Sequence, residues 1–177
     1  MPRLRDEPRD APEYYEYMGR ATAIWGRLEH NFTTDLWFMA SIPDLVDIFR
    51  TFPRGWEWKL RTFSKCFSLI PELRVYEEAA SRFVTEAMQV ALDRNVISHG
   101  SFWAFTNDDP LTAEFTLGRV DKKTRNLSFT KYHCTLHEMK EIVIKTDNLN
   151  THYVSLSFAV GQICNELKMK KPQSPSV

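Results

Sequence analysis

Apolar positions recur at spacings of three and four over most of the chain, which is the signature of helices with one buried face. In the first such run, Tyr14, Met18, Ala21, Trp25, Leu28, Phe32, Leu36 and Met39 predict one long helix from Tyr14 to Met39. Pro43 and the pair Pro53 and Gly55 bracket a short amphipathic piece, Leu45 to Phe52, suited to a brief helix or a structured loop. Trp56, Leu60, Phe63, Phe67 and Ile70 predict a second helix that stops near Pro71, because proline cannot continue the hydrogen-bond ladder. A third run, Tyr76, Ala80, Phe83, Ala87, Val90, Arg94 and Ile97, keeps the same alternation and places Arg94 on the stripe that faces the core.

Gly100 is well placed to end that third helix, and the period changes after it. Residues 101–120 and 127–134 carry short aromatic and β-branched runs. They are separated by Asn107-Asp108-Asp109-Pro110 and by the segment from Asp121 to Asn126, both turn-forming, so a small antiparallel β-meander is expected over 101–134. Helical period returns after Thr135, which forms a capping box with Glu138. Met139, Ile142, Thr146, Leu149, Tyr153, Leu156, Val160, Ile163 and Leu167 predict a helix of about thirty residues, or two collinear helices broken near Asn148-Leu149-Asn150. The predicted class is therefore mainly α, a helical bundle with a β-meander inserted between the third and last long helices. The domain is expected over 14–168, flanked by mobile tails at 1–13 and 169–177.

Composition changes this picture only by exclusion. At 177 residues, 43% hydrophobic and 26% charged, the chain is one ordinary globular domain's worth. Lys+Arg and Asp+Glu balance at 23 each, which argues against a broad footprint on duplex DNA. The start has no apolar signal-peptide core and no segment is long and apolar enough to span a membrane, so a cytoplasmic protein without membrane contact is expected. Cys66, Cys134 and Cys164 are few and far apart, as buried thiols are. His133-Cys134-x-x-His137 has metal-capable side chains but too few ligands for a zinc site, so no metal or cofactor is expected. Its ordinary reading is a strand end and a helix start, with the cysteine inside and the histidines outside. Of the five tryptophans, core or dimer packing is expected for most, and Trp58 is the best candidate for an exposed one. Arg119, Lys122, Lys123, Arg125 and Lys131, opposed by Asp121, make the second β-turn region locally basic. Glycine-rich phosphate loops and serine nucleophile elbows are missing from the sequence.

The candidate chemistry lies at the end of the third helix, in Asp93-Arg94-Asn95-Val96-Ile97-Ser98-His99-Gly100. It sets a permanent cation and a titratable imidazole close together, a workable pair for cleaving a phosphodiester. The loose pattern of Arg followed by His arises by chance about once in such a chain; requiring Asn after Arg and a fixed gap lowers the expectation to roughly 0.015. Arg125-Asn126 is an internal control, because Thr130 stands where the histidine would be.

Arg94-Asn95-x-x-x-His99, on a bundle helix between a long first and a long last helix, resembles the signature of the HEPN superfamily. That resemblance implies a small helical bundle, metal-independent endoribonuclease activity, and a homodimer that acts as a toxin or defence effector. RNA and a neutralising antitoxin protein are then the further partners. It gives His99 the acid/base work and Arg94 and Asn95 the holding of phosphate. Glu29 and Asp93 are secondary candidates, each able to bring a carboxylate near the motif or to balance Arg94. The alternative is a non-catalytic helical dimerisation or binding module in which the motif serves packing.

Overall fold

The computed structural model describes residues 8–106, 110–121 and 123–170. The turn expected at 107–109, Lys122 and most of the two predicted tails lie outside the described residues. The fold is mainly α with a small antiparallel sheet. Its long helices are α1 (Ala11–Ala40), α2 (Trp56–Leu69), α3 (Glu77–His99) and α4 (Leu136–Lys170). Strands β1 (Ser101–Phe105), β2 (Thr112–Val120) and β3 (Leu127–Thr135) lie between α3 and α4 and pair in the order β1-β2-β3. No described helix is long and apolar enough to cross a membrane.

Several elements differ in detail from the expected ones. α1 begins at Ala11, three residues before the apolar stripe, because the Ala11 N–H already bonds to the Pro8 carbonyl. The 45–52 piece is a 3-10 helix at Pro43–Leu45 followed by turns. A second 3-10 helix, Pro71–Tyr76, joins α2 to α3. α4 is one helix of 35 residues that runs through Asn148-Leu149-Asn150 without a break. Thr135 and Glu138 do form the capping box: the Thr135 N–H donates to Glu138 Oε2 at 2.7 Å and the Glu138 N–H donates to Thr135 Oγ1 at 3.1 Å.

The chain divides into two compact units, Met1–Trp25 with Gln89–Asn148, and Gly26–Met88 with Leu149–Val177, the boundaries falling inside α1, α3 and α4. The first unit contains the sheet. Its core is Tyr14, Ala113, Phe115, Cys134 and Met139, with Val96, Ile97 and Phe105 among the residues packed against it. Tyr14 ties the sheet to α1: its ring meets Phe105 edge-on at 5.2 Å and its hydroxyl donates to the Cys134 carbonyl at 3.1 Å.

The second unit is built around Phe32, whose ring lies 5.0 to 5.5 Å from those of Phe63, Trp56, Tyr153 and Phe83. Two polar groups are buried with it. Lys59 bonds to Thr33 Oγ1 at 2.9 Å and pairs with Glu29 at 3.6 Å. The Tyr153 hydroxyl donates to the Asp35 carboxylate, which Ser157 also contacts.

Candidate functional site

The last two turns of α3 carry the motif. Val90 is buried, while Arg94 and Ile97, next on the same stripe, are half-buried. Arg94 is thus partly covered, its Nε atom included, as its place on the stripe leads one to expect, and its guanidinium carbon lies 5.6 Å from the ring centre of buried Trp25. His99 is exposed at the end of the helix. Asn95 and His99, four residues apart, share a helical face.

Arg94 connects the three residues. Its Nη1 donates to Asn95 Oδ1 at 3.2 Å and lies 2.9 Å from His99 Nε2. A guanidinium only donates, so Nε2 presents its lone pair to Arg94 and the ring proton of this arrangement sits on Nδ1. The cation, the amide and the imidazole thus form one hydrogen-bonded group at the unit's surface.

Gly100 follows the last residue of α3, as expected, and close packing requires a glycine there. No described glycine has a positive φ; instead a Cβ at Gly100 would lie 2.3 Å from the Val96 carbonyl oxygen, which accepts from the Gly100 N–H at 2.9 Å. The chain can turn from α3 into β1 directly behind His99 only because that position has no side chain.

Glu29 belongs to the second unit, where Lys59 takes its charge. Asp93 is half-buried, and loss of solvent raises its pKa above the ordinary carboxylate range against the pull of Lys145. His133 and His137 are exposed and Cys134 is buried at the junction of β3 and α4. Among the described residues no group of His, Cys, Asp and Glu could hold a metal ion. Cys66, Cys134 and Cys164 are unbridged and buried, and desolvation pushes the thiols of Cys66 and Cys164 up to about 12 and 11, so neither is a ready nucleophile at neutral pH.

What the sequence did not point to is the groove beside His99. A cavity of about 440 Å³ is lined by His99, Ser101, Trp103, Glu114, Thr116, Gly118, Phe129 and Lys131. Apart from His99 at the end of α3, these residues share the outer face of the sheet, opposite the one that presents Ala113 and Phe115 to the core. Lys131 bridges to Glu114 at 2.7 Å and holds that carboxyl below its usual range, helped by His133. Trp58 is exposed as expected, at 47%, but Trp103 at 69% and Phe129 at 67% are more open. Trp37 is exposed as well. The available signal was alternation: Glu114, Thr116 and Gly118 on one strand, Phe129 and Lys131 on the next, all with the parity of one face.

Comparison of the chain with protein-family models, with curated proteins and with solved structures gave no match.

Proposed function

We propose that the chain is a metal-independent endoribonuclease of HEPN type, with Arg94, Asn95 and His99 as its working residues. The observation that carries this reading is the 2.9 Å contact between Arg94 Nη1 and His99 Nε2, with His99 exposed on the wall of a groove large enough for a nucleotide. Metal-free RNA cleavage needs a proton acceptor for the ribose 2′-OH and a donor array for the charge that builds on phosphate. An incoming phosphate competes for Arg94, whose planar fork matches its oxygens. As Arg94 turns to the phosphate, the Nε2 lone pair of His99 is released to accept the 2′-OH proton. The 2′ oxygen then bonds to phosphorus, the bond to the 5′ oxygen breaks, and a cyclic phosphate and a 5′-OH remain.

The leaving oxygen needs a proton in return. A homodimer that brings two copies of the motif to one cleft supplies it: a second imidazole, in its protonated form, donates to the leaving 5′ oxygen while the first accepts the 2′-OH proton, and proton exchange with water restores both rings. An enzyme of this kind acts on cytoplasmic RNA as a toxin or defence effector, and its host carries a neutralising antitoxin.

Product analysis tests the reading. Purified protein should cut single-stranded RNA in excess EDTA and leave 2′,3′-cyclic phosphate ends. Loss of cutting in EDTA, or 3′-OH ends, would point to different chemistry. The position of Arg94 against Trp25 favours one second reading, a non-catalytic dimerisation module in which the motif fastens α3 to α1 within the first unit. Expression separates the two: the ribonuclease should slow growth of a host lacking the antitoxin, and His99→Ala should restore it, whereas the packing module is tolerated in either form.

A further inference from the structure

We infer that the outer face of the three-stranded sheet is a stacking platform for the bases of a single-stranded RNA, leading the strand to His99. This rests on the ribonuclease reading for the destination of the strand, but its observations are separate from the motif.

The β1–β2 register shifts between Phe102 and Ala104, leaving Trp103 as the extra residue of a bulge. Bulges re-aim a side chain out of the regular ladder, and this one leaves a large apolar ring in the open. Phe129 is held by a different device. It pairs with Gly118 across β2 and β3, and a Cβ at Gly118 would come within 3.3 Å of the Phe129 ring, so the ring lies against a position without a side chain. Two aromatic faces are thereby open on one groove wall, and every base can stack on an exposed ring whatever its sequence.

The charge around these rings suits a phosphate chain. Lys131 lies on the groove, and Lys123 and Arg125 are exposed in the hairpin between β2 and β3. Of the carboxylates facing them, Glu114 is paired with Lys131 and Asp121 accepts the backbone N–H groups of Lys123 and Thr124. The groove is continuous with His99 itself. A duplex hides its base faces, so this surface selects unpaired strands.

Fluorescence anisotropy with a labelled twelve-nucleotide RNA of mixed sequence tests this, in the His99→Ala background so that cutting cannot distort binding. Trp103→Ala and Phe129→Ala should each weaken binding about 5- to 100-fold. Trp103→Phe should recover most of the affinity, Trp58→Ala should leave it unchanged, and the same RNA annealed to its complement should bind more weakly than the single strand. Thermal unfolding of each variant identifies those that have lost the fold. Equal binding by folded Trp103→Ala, equal loss in Trp58→Ala, or equal affinity for the duplex would overturn the platform. A parallel assay of RNA cutting by the unsubstituted chain keeps the two ideas apart: cutting without dependence on Trp103 refutes the platform alone, and stacking without cutting refutes the ribonuclease alone.

Discussion

At the scale of single residues, Arg94 does what no other side chain could. Its head reaches Asn95 and His99 together while its stem stays on the buried stripe, which requires both a planar set of donors and a long apolar stem. Arg94→Lys keeps the charge and loses the fork, and we expect RNA cutting to fall about 10²-fold with the melting temperature little changed; an active lysine variant would mean that charge alone suffices. Asp35 makes a prediction of a different kind. Burial raises its carboxyl above the ordinary range, against the hydrogen bonds from Ser157 and Tyr153 that pull the other way. The native state then holds this proton more tightly than the unfolded chain does. Stability should therefore fall as pH rises from the usual aspartate range through the raised native value. Urea midpoints across that window should decline, and Asp35→Asn should flatten the decline; an equal slope in both proteins would contradict it. Of these residues the sequence pointed to the Arg–His pair, through the Arg-Asn-x-x-x-His spacing near the end of a helical pattern. It could not reveal that Asp35 lies against Tyr153, 118 positions away, since nothing local encodes that meeting.

At the scale of elements, helices were legible because their apolar period is local and long. The stripe of α1 from Tyr14 to Met39 is buried at every predicted position except Met18, which is half-buried. Strand positions were legible as well, from the turn residues between them. Hidden from that kind of reading was what depends on how strands meet, the bulge at Trp103 and the seating of Phe129 on Gly118, and on the backbone geometry of a junction, the close approach of Val96 to Gly100. Two substitutions test this level. Gly100→Ala places a methyl carbon on a backbone oxygen that cannot easily retreat, and should lower stability by about 1–3 kcal/mol and displace His99; an unchanged urea midpoint would show that the α3–β1 junction is looser than described. Glu138→Ala removes one half of the α4 cap and should cost about 1 kcal/mol. Because the Thr135 backbone N–H holds the Glu138 carboxyl below its usual range, the part of that stability due to its charge is present above the ordinary glutamate value and is lost as pH falls through the lowered one. The difference between the two proteins should shrink in acid.

At the scale of the whole molecule, a second copy is what the proposed chemistry asks for. One motif provides one imidazole, and cleavage needs a proton taken and a proton returned. Sedimentation equilibrium should find a dimer at micromolar concentration, and a wholly monomeric chain that still cuts RNA would place the second proton donor elsewhere. Whether His99, steered by Arg94, moves the proton in RNA cleavage is decided by one comparison. Purified wild-type chain and His99→Ala, prepared identically and shown to have the same circular dichroism and melting temperature, are assayed on the same single-stranded RNA. The variant should be about 10²- to 10⁴-fold slower; equal rates from the two preparations would rule out His99 as the proton carrier.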